Sequence, residues 1–214
     1  MKKYLLVLLF ILLQLNTVFA TDLNQARTIK LPNVNKSDTF LNILLRRKST
    51  RIFKPNQEIN DNALSNILWA AYGINRVEVN SKRKLYKRVI PTAMNMQDLE
   101  IYAIKKSGTY LYNAEGNELI EKTRNNLFKY FTEKQEFVND ASLILLYTTK
   151  DYKPDISAMH VGSSYQNVAI YCAEHGIPNV VKGSMDREGL AKELNIDTKN
   201  ILTGHVLGVS VAKK

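Results

Sequence analysis

The sequence is poor in the residues that form covalent cross-links and metal sites. Cys172 is its only cysteine, so no disulfide can form within the chain, and the apolar helical pattern around it predicts a buried thiol. The three histidines lie far apart and lack the spacing of metal ligands. No glycine-rich dinucleotide fingerprint occurs either. We therefore expect neither a disulfide scaffold nor a metal centre.

The chain also lacks a hydrophobic run long enough to predict a membrane-spanning helix. The longest run, Tyr4–Leu15, is shorter than the roughly 20 residues that a bilayer requires. Lys2 and Lys3 precede it and the small-residue site Val18–Ala20 follows it, as is typical of a Sec-type signal peptide. We predict a cleaved signal over 1–20, an N-terminal arm over 21–36 and one exported domain over 37–214, with an uncleaved anchor as the alternative.

Acidic residues are outnumbered by basic ones, and the formal net charge is +10. The positive residues are scattered apart from Arg46–Arg51 and Lys82–Arg88, and no stretch interleaves basic with aromatic residues. This pattern is typical of a solvated surface, so we expect no nucleic-acid partner. Binding of the basic 75–89 segment to an anionic membrane stays open as an additional property.

Apolar periodicity and turn residues predict a mixed α+β domain without repeats. The loop prediction covers Asn75–Val89, which is basic and lacks periodicity. The predicted helices are one capped by Ser37, about Asn60–Tyr72, Arg124–Phe131, one from Thr132 in a capping box with Gln135, Ile156–His175, and one from Asp186 to Leu194. The predicted strands are Leu99–Ile104, Thr109–Tyr112, Glu118–Ile120, Ser142–Thr148, Pro178–Val181 and Ile201–Val211.

Three short segments carry residue types suited to binding a ligand. Arg47, Ser49 and Arg51 follow the first helix, and in an extended segment residues at i, i+2 and i+4 point the same way. Two guanidinium groups and a hydroxyl around one point suit a phosphate, whereas the alternative is a solvated basic helix end.

The second segment is Pro91–Gln97, where small residues precede an amide side chain that can bond the polar edge of a flat heterocycle. The third runs from Val180 to Asp186, where Gly183 permits close backbone approach to a ligand and Lys182 can stabilise negative charge. An ordinary turn is the alternative for each.

The order and spacing of these segments resemble the nitroreductase family, and more closely its branch related to SagB-type thiazole/oxazole-forming dehydrogenases. The matching pieces are RRKSTRIF at 46–53, ILWAAYGIN at 67–75, PTAMNMQDLEIYAI at 91–104, SSYQNVAIYCAEHGIPNVVKG at 163–183 and DREGLAKELNI at 186–196. The resemblance implies FMN as cofactor and a central, mostly antiparallel sheet flanked by helices. It also implies a homodimer with FMN at the subunit interface and the 156–175 helix in its core.

The resemblance carries over to individual residues. Arg47, Ser49 and Arg51 match the positions that hold the FMN phosphate, and Lys182 with Gly183 matches the turn facing the reactive edge of the ring. Lys213 or Lys214 is a candidate for a further phosphate contact. In the family, one segment approaches the flavin ring, typically from the partner subunit. The residues that match it here are Pro91, Thr92, Ala93, Met94 and Asn95.

In this family a hydride moves from a donor to flavin N5 and then to an acceptor, so no acid–base dyad is required. The azoline dehydrogenases carry a Lys-Tyr pair ahead of the long helix, which neither Lys129-Tyr130 nor Lys150 with Tyr152 matches securely, so no catalytic residue is assigned. Export implies an electron donor other than NAD(P)H, such as a quinol or a partner protein, and a small-molecule substrate. The competing hypothesis is an exported binding module that has lost catalysis.

Overall fold

The computed structural model of the chain describes residues 30–79, 84–132 and 135–211. The predicted signal peptide, residues 1–20, and the two C-terminal lysines lie outside these ranges. The chain divides into two units, 1–36 and 37–214, and in the first unit the described residues 30–36 are exposed and form no helix or strand. Within the described ranges, no helix is long and apolar enough to cross a membrane.

The first two helices begin at side-chain caps. Helix α1, Thr39–Arg46, is capped by Asp38, whose carboxylate accepts the Leu41 N–H at 3.0 Å, so the predicted Ser37 cap was wrong by one position. Helix α2, Asp61–Tyr72, ends at Gly73 as predicted, and the Asn60 side chain caps its start. The stripe that α2 buries includes Leu64, Ile67, Leu68 and Ala71.

The predicted 75–89 loop was wrong, because residues 75–79 and 84–88 lie in the two strands of an antiparallel hairpin. Strand β1 spans Ile74–Val79 and pairs with β2, Lys84–Arg88. Both strands carry mostly exposed or half-buried side chains. An alternating apolar pattern arises only where one face of a strand is buried, so this hairpin leaves no periodic signal in the sequence.

A six-stranded antiparallel sheet forms the centre of the domain. Its strands are β3 Leu99–Lys105, β4 Gly108–Asn113, β5 Glu118–Thr123, β6 Leu143–Thr149, β7 Asn179–Lys182 and β8 Ile201–Leu207. They lie in the order β5-β4-β3-β6-β8-β7. Every residue of β6 is buried, which confirms the prediction of a central strand from its apolar run. The predicted final strand is shorter than expected and ends at Leu207.

The remaining helices cover the sheet. Helix α4, Pro154–His175, ends at Gly176, whose φ of 65° is a left-handed cap that glycine adopts without steric cost. Helix α5, Arg187–Leu194, begins at Asp186 as predicted. Between β5 and β6 the two predicted helices reduce to α3, Lys129–Thr132, and a 3₁₀ turn, Glu136–Asp140. The predicted capping box does not form, since the Gln135 N–H donates to the Thr132 backbone carbonyl at 2.9 Å rather than to the Thr132 hydroxyl.

Alternate residues of each strand divide the core between the two faces of the sheet. Ile101, Leu145 and Tyr147 pack on the face that α2 and α4 cover, together with the buried Cys172. Tyr102, Ile104 and Leu146 pack on the opposite face, with α3, α5 and Phe53. This architecture confirms the predicted mixed α+β class with a central antiparallel sheet and flanking helices.

Candidate functional site

The segment after α1 runs in an extended conformation along the edge strand β7. The Thr50 N–H donates to the Asn179 carbonyl at 2.8 Å, and the Lys54 N–H donates to the Val209 carbonyl at 2.8 Å. A cavity of about 340 Å³ on one side of this segment is lined by its even-numbered residues Arg46, Lys48, Thr50 and Ile52. Since side chains alternate along an extended chain, Arg47, Ser49 and Arg51 lie on the other side, and all three are exposed.

Lys182 is the last residue of β7 and is 4% exposed. Lys182 lies two residues after Val180 on the same strand, so both side chains point to the same face of the sheet. Val180 packs on the face that α3 and α5 cover. Its Nζ donates to Gln135 Oε1 at 2.9 Å. Burial lowers the pKa of Lys182, and the nearby positive charge of Arg51 lowers that pKa further. The fold therefore brings the predicted phosphate segment and the predicted ring-facing turn together.

Gly183 follows Lys182 and is exposed. A Cβ built on it would meet no atom within 4 Å, and its φ lies outside the left-handed range. The fold of the described chain thus gives no steric reason for glycine at this position. A close approach by a group from outside the chain would give one.

The segment Pro91–Asn95 precedes β3 and contains the short 3₁₀ turn Ala93–Asn95. Met94 and Asn95 both have left-handed φ values, 49° and 56°. The Met94 side chain is 85% exposed. The Ala93 N–H donates to His160 Nε2 at 2.7 Å, and Asn95 Oδ1 accepts from Gln97 Nε2 at 3.0 Å.

Within one chain, the Pro91–Asn95 segment does not approach the 47–51 segment or the 182–183 turn. Strands β6 and β8 separate β3 from β7, and three strand spacings amount to roughly 14 Å. Among the described residues, no hydrogen bond or ion pair joins 91–95 to 47–51 or to 182–183. Two of the three predicted segments therefore meet within one chain, and the third lies apart.

Three functional candidates escaped sequence reasoning. Gln135, the partner of Lys182, was interpreted as a helix cap. His160 and Asp98 form a buried pair, with Nδ1 and Oδ1 2.5 Å apart. A signal for the pair existed, because His160 lies on the buried stripe of α4 beside Ser157, Val161 and Ser164, where a polar side chain requires a partner.

A further pocket of about 460 Å³ opens between the β1–β2 hairpin and the Pro91–Asn95 segment. Its wall includes three basic side chains, Arg76, Lys87 and Arg88. Glu78 pairs with two of these, Arg76 and Lys87. In the described ranges, no group of three or more His, Cys, Asp or Glu side chains is arranged to hold a metal ion.

Comparisons with known proteins agree with this architecture. The model of the nitroreductase family matches residues 44–209. A structure from Ralstonia eutropha, assigned as a nitroreductase, is 25% identical with a TM-score of 0.68, covering 89% of this chain and 88% of its own. A structure from Desulfovibrio desulfuricans, assigned as a nitroreductase and in complex with FMN, is 15% identical with a TM-score of 0.57, covering 83% and 92%.

The E. coli microcin synthetase McbBCD complex, with truncated pro-MccB17 bound, contains a chain of the same fold. That chain is 16% identical with a TM-score of 0.63, covering 89% of this chain and 77% of its own. No curated protein sequence matches significantly. The family model covers most of the 214 residues and includes each of the three segments described above. The chain belongs to the nitroreductase family.

Proposed function

We propose that this chain is an exported FMN-dependent oxidoreductase that acts on a small molecule as a homodimer. When bound, FMN would supply the two-electron redox chemistry, the transfer of a hydride between a donor and an acceptor. The observation that carries the proposal is the convergence of Arg51 and Lys182 beside an exposed basic segment and an unobstructed glycine.

The phosphate of FMN fits the exposed side of the 47–51 segment. Arg47 and Arg51 offer guanidinium donors, and Ser49 between them offers a hydroxyl. The backbone of this segment is held by the hydrogen bond from Thr50 to Asn179, so the three side chains start from a fixed strand. Ordering them around a dianion then costs less conformational freedom than in a mobile loop.

The ring of FMN fits beside Lys182 and Gly183. The buried ammonium of Lys182, held by Gln135, is placed to stabilise the negative charge of a reduced ring. Gly183 leaves its backbone accessible, since a side chain would project there into the space that the ring requires.

A second copy of the chain completes the site in this proposal. The 91–95 segment precedes β3, and β3 lies three strand spacings, roughly 14 Å, from β7 in the same chain. In the proposed dimer this segment therefore serves the ring of the partner subunit. Helix α4 supports such a dimer, because Ala158 and Met159 are exposed and Gly162 is only half-buried. Small residues allow close helix packing, and an exposed methionine is typical of a surface that a partner covers.

The predicted signal peptide directs the enzyme outside the cytoplasm, where a quinol or a partner protein replaces NAD(P)H as electron donor. The pocket beside the β1–β2 hairpin is of a size suited to a small substrate. Within the family, the SagB-like branch is the one that the sequence resembles most. The fold shared with the microcin synthetase chain is compatible with that placement.

The test is an absorbance titration of the mature protein with FMN. We expect flavin bands to appear in the wild-type protein, and the double variant Arg47→Ala/Arg51→Ala to weaken FMN binding at least about 100-fold, since two charge-assisted hydrogen bonds are lost. Lys48→Ala is the matched control. It removes one positive charge, against two in the double variant, from the opposite side of the segment and should change the Kd by only about twofold. A colourless protein that ignores FMN would instead favour the binding-module hypothesis.

A further inference from the structure

A buried Asp–His pair lies behind the segment predicted to face the flavin. The side chains of Asp98 and His160 are each 3% exposed, and Asp98 Oδ1 lies 2.5 Å from His160 Nδ1. The opposite ring nitrogen, Nε2, accepts the Ala93 N–H at 2.7 Å. A backbone N–H can only donate, so Nε2 is unprotonated and the imidazole proton lies on Nδ1, facing the carboxylate.

Asp98 is itself fixed from two directions. Its Oδ2 accepts from the Thr149 hydroxyl on β6 at 2.9 Å and from the Ser157 hydroxyl on α4 at 3.5 Å. The carboxylate therefore sets both the tautomer and the orientation of His160. Replacing a buried ion pair by well-packed apolar residues is often neutral or stabilising, so packing alone does not account for the pair. What an apolar pair cannot do is accept the Ala93 N–H.

The backbone that this N–H belongs to is strained. Met94, Asn95 and Gln97 all have φ values near 50°, a region that non-glycine residues adopt only at a cost. The far end of the segment is held as well, because Arg88 Nε donates to Gln97 Oε1 at 2.8 Å while the guanidinium lies 4.4 Å from the centroid of the Tyr72 ring. Two anchors thus hold a strained turn whose tip, Met94, is exposed.

We propose that Asp98 and His160 are positioning residues for the flavin site, holding the Ala93–Asn95 turn in the conformation that faces the ring of the neighbouring subunit. This inference rests on the proposed function, because it takes the ring to lie against that turn. Neither residue touches the ring, and the effect travels from Asp98 to His160 and then to the Ala93 N–H. Strained backbone held by a dedicated hydrogen-bond network is typical of functional sites.

The two halves of the imidazole can be tested separately. His160→Gln keeps an acceptor near the place of Nε2 and loses the donor to Asp98, whereas His160→Asn keeps a donor near Nδ1 and loses the acceptor for Ala93. Ser164→Ala is the control on the same helix. Its buried hydroxyl donates to the Ala71 carbonyl at 2.7 Å, and among the described residues no hydrogen bond joins it to the 91–97 segment. All three substitutions alter a buried polar group of α4.

The first readout needs no flavin. Amide hydrogen exchange of peptides covering 91–97 is measured in the full mature protein without FMN. We expect His160→Asn to accelerate exchange of the Ala93 amide at least about tenfold. His160→Gln should give an intermediate acceleration of about threefold, because the acceptor remains but its anchor on Asp98 is lost, and Ser164→Ala should stay within about twofold of the wild-type rate. Equal exchange in the Asn and Gln variants, or no acceleration in the Asn variant, would show that the pair does not hold the turn.

The second readout connects the turn to the cofactor. We expect His160→Asn to raise the Kd for FMN about tenfold relative to His160→Gln and to shift the visible flavin bands, at equal thermal stability of the two variants. Identical Kd values and spectra in both variants would overturn the positioning role even if the exchange result stands. A wild-type protein that takes no FMN would refute the proposed function and the role toward the ring, whereas exchange would still decide whether Asp98 and His160 hold the turn.

Discussion

His205 Nε2 lies 2.9 Å from the side-chain oxygen of Asn179, and the histidine is fully buried between neighbouring strands. Because that oxygen can only accept, Nε2 carries a proton, and burial of the ring favours the neutral imidazole. The backbone carbonyl of Asn179 in turn accepts the Thr50 N–H, so this pair supports the strand that presents Arg47, Ser49 and Arg51. Asn179 therefore connects the core histidine His205, through its side chain, to the predicted phosphate segment, through its backbone carbonyl.

Burial lowers the pKa of His205 from 6.5 to about 3, and this makes stability depend on pH. Below pH 6.5 the unfolded chain binds a proton that the folded chain rejects, so the free energy of unfolding decreases as the pH falls from 6.5 towards 3. The slope should approach 1.4 kcal/mol per pH unit, or about 2 kcal/mol between pH 6.5 and pH 5. Urea denaturation at pH 7 and pH 5 measures it, and His205→Gln should lack this part of the slope. Parallel pH profiles for the two proteins would contradict the assignment.

The positive charge of Lys182 should stabilise reduced FMN relative to oxidised FMN. Replacement by methionine keeps a long side chain and removes the charge, so we expect the midpoint potential of bound FMN to fall by about 30–60 mV, corresponding to one charge-assisted interaction in a two-electron couple. Spectroelectrochemical titration measures the shift. Gln135→Ala, which leaves the ammonium but removes its 2.9 Å partner, should give a smaller change in the same direction. An unchanged potential in Lys182→Met would place the ring elsewhere.

Replacement by alanine should lower stability at one glycine and FMN binding at another. At Gly204 a Cβ would lie 2.8 Å from Phe131 Cε1, and Phe131 is buried, so Gly204→Ala should lower the free energy of unfolding by about 1–3 kcal/mol through overpacking. At Gly183 a Cβ would meet nothing within 4 Å, so Gly183→Ala should leave stability within about 0.5 kcal/mol of wild type while weakening FMN binding. Thermal unfolding and FMN titration of both variants separate the effects. Full FMN affinity in Gly183→Ala would argue against close approach at this turn.

The Asp186 cap should stabilise the helix that follows the 182–185 turn. Its carboxylate accepts the Gly189 N–H at 2.9 Å at the start of α5. Asp186→Ala should cost about 1 kcal/mol of unfolding free energy, and Asp186→Asn should recover most of it, because asparagine is an equally good cap. Chemical denaturation of the three proteins tests the order. If Asp186→Asn is as unstable as Asp186→Ala, the carboxylate acts through its charge rather than through the cap.

Local signals predicted most of the elements and some of the site. The caps at Asn60 and Asp186 and the left-handed end of α4 at Gly176 depend on residues a few positions apart, so the sequence alone indicates them. The alternation that places Arg47, Ser49 and Arg51 on one side is likewise a property of any extended segment. The β1–β2 hairpin escaped prediction because neither of its faces is buried enough to impose a pattern.

The sequence by itself determined the local conformation, the buried stripes of α2 and α4, and the residue types offered to a phosphate and a ring. Only the tertiary structure decided which distant residues meet: Lys182 with Gln135, His160 with Asp98, and His205 with Asn179. The physical reason is that helix and strand periods report which face of an element is buried but carry no information on strand order. Contacts between residues dozens of positions apart are set by how the whole sheet pairs, and this pairing placed 47–51 beside β7 and left 91–95 to another surface.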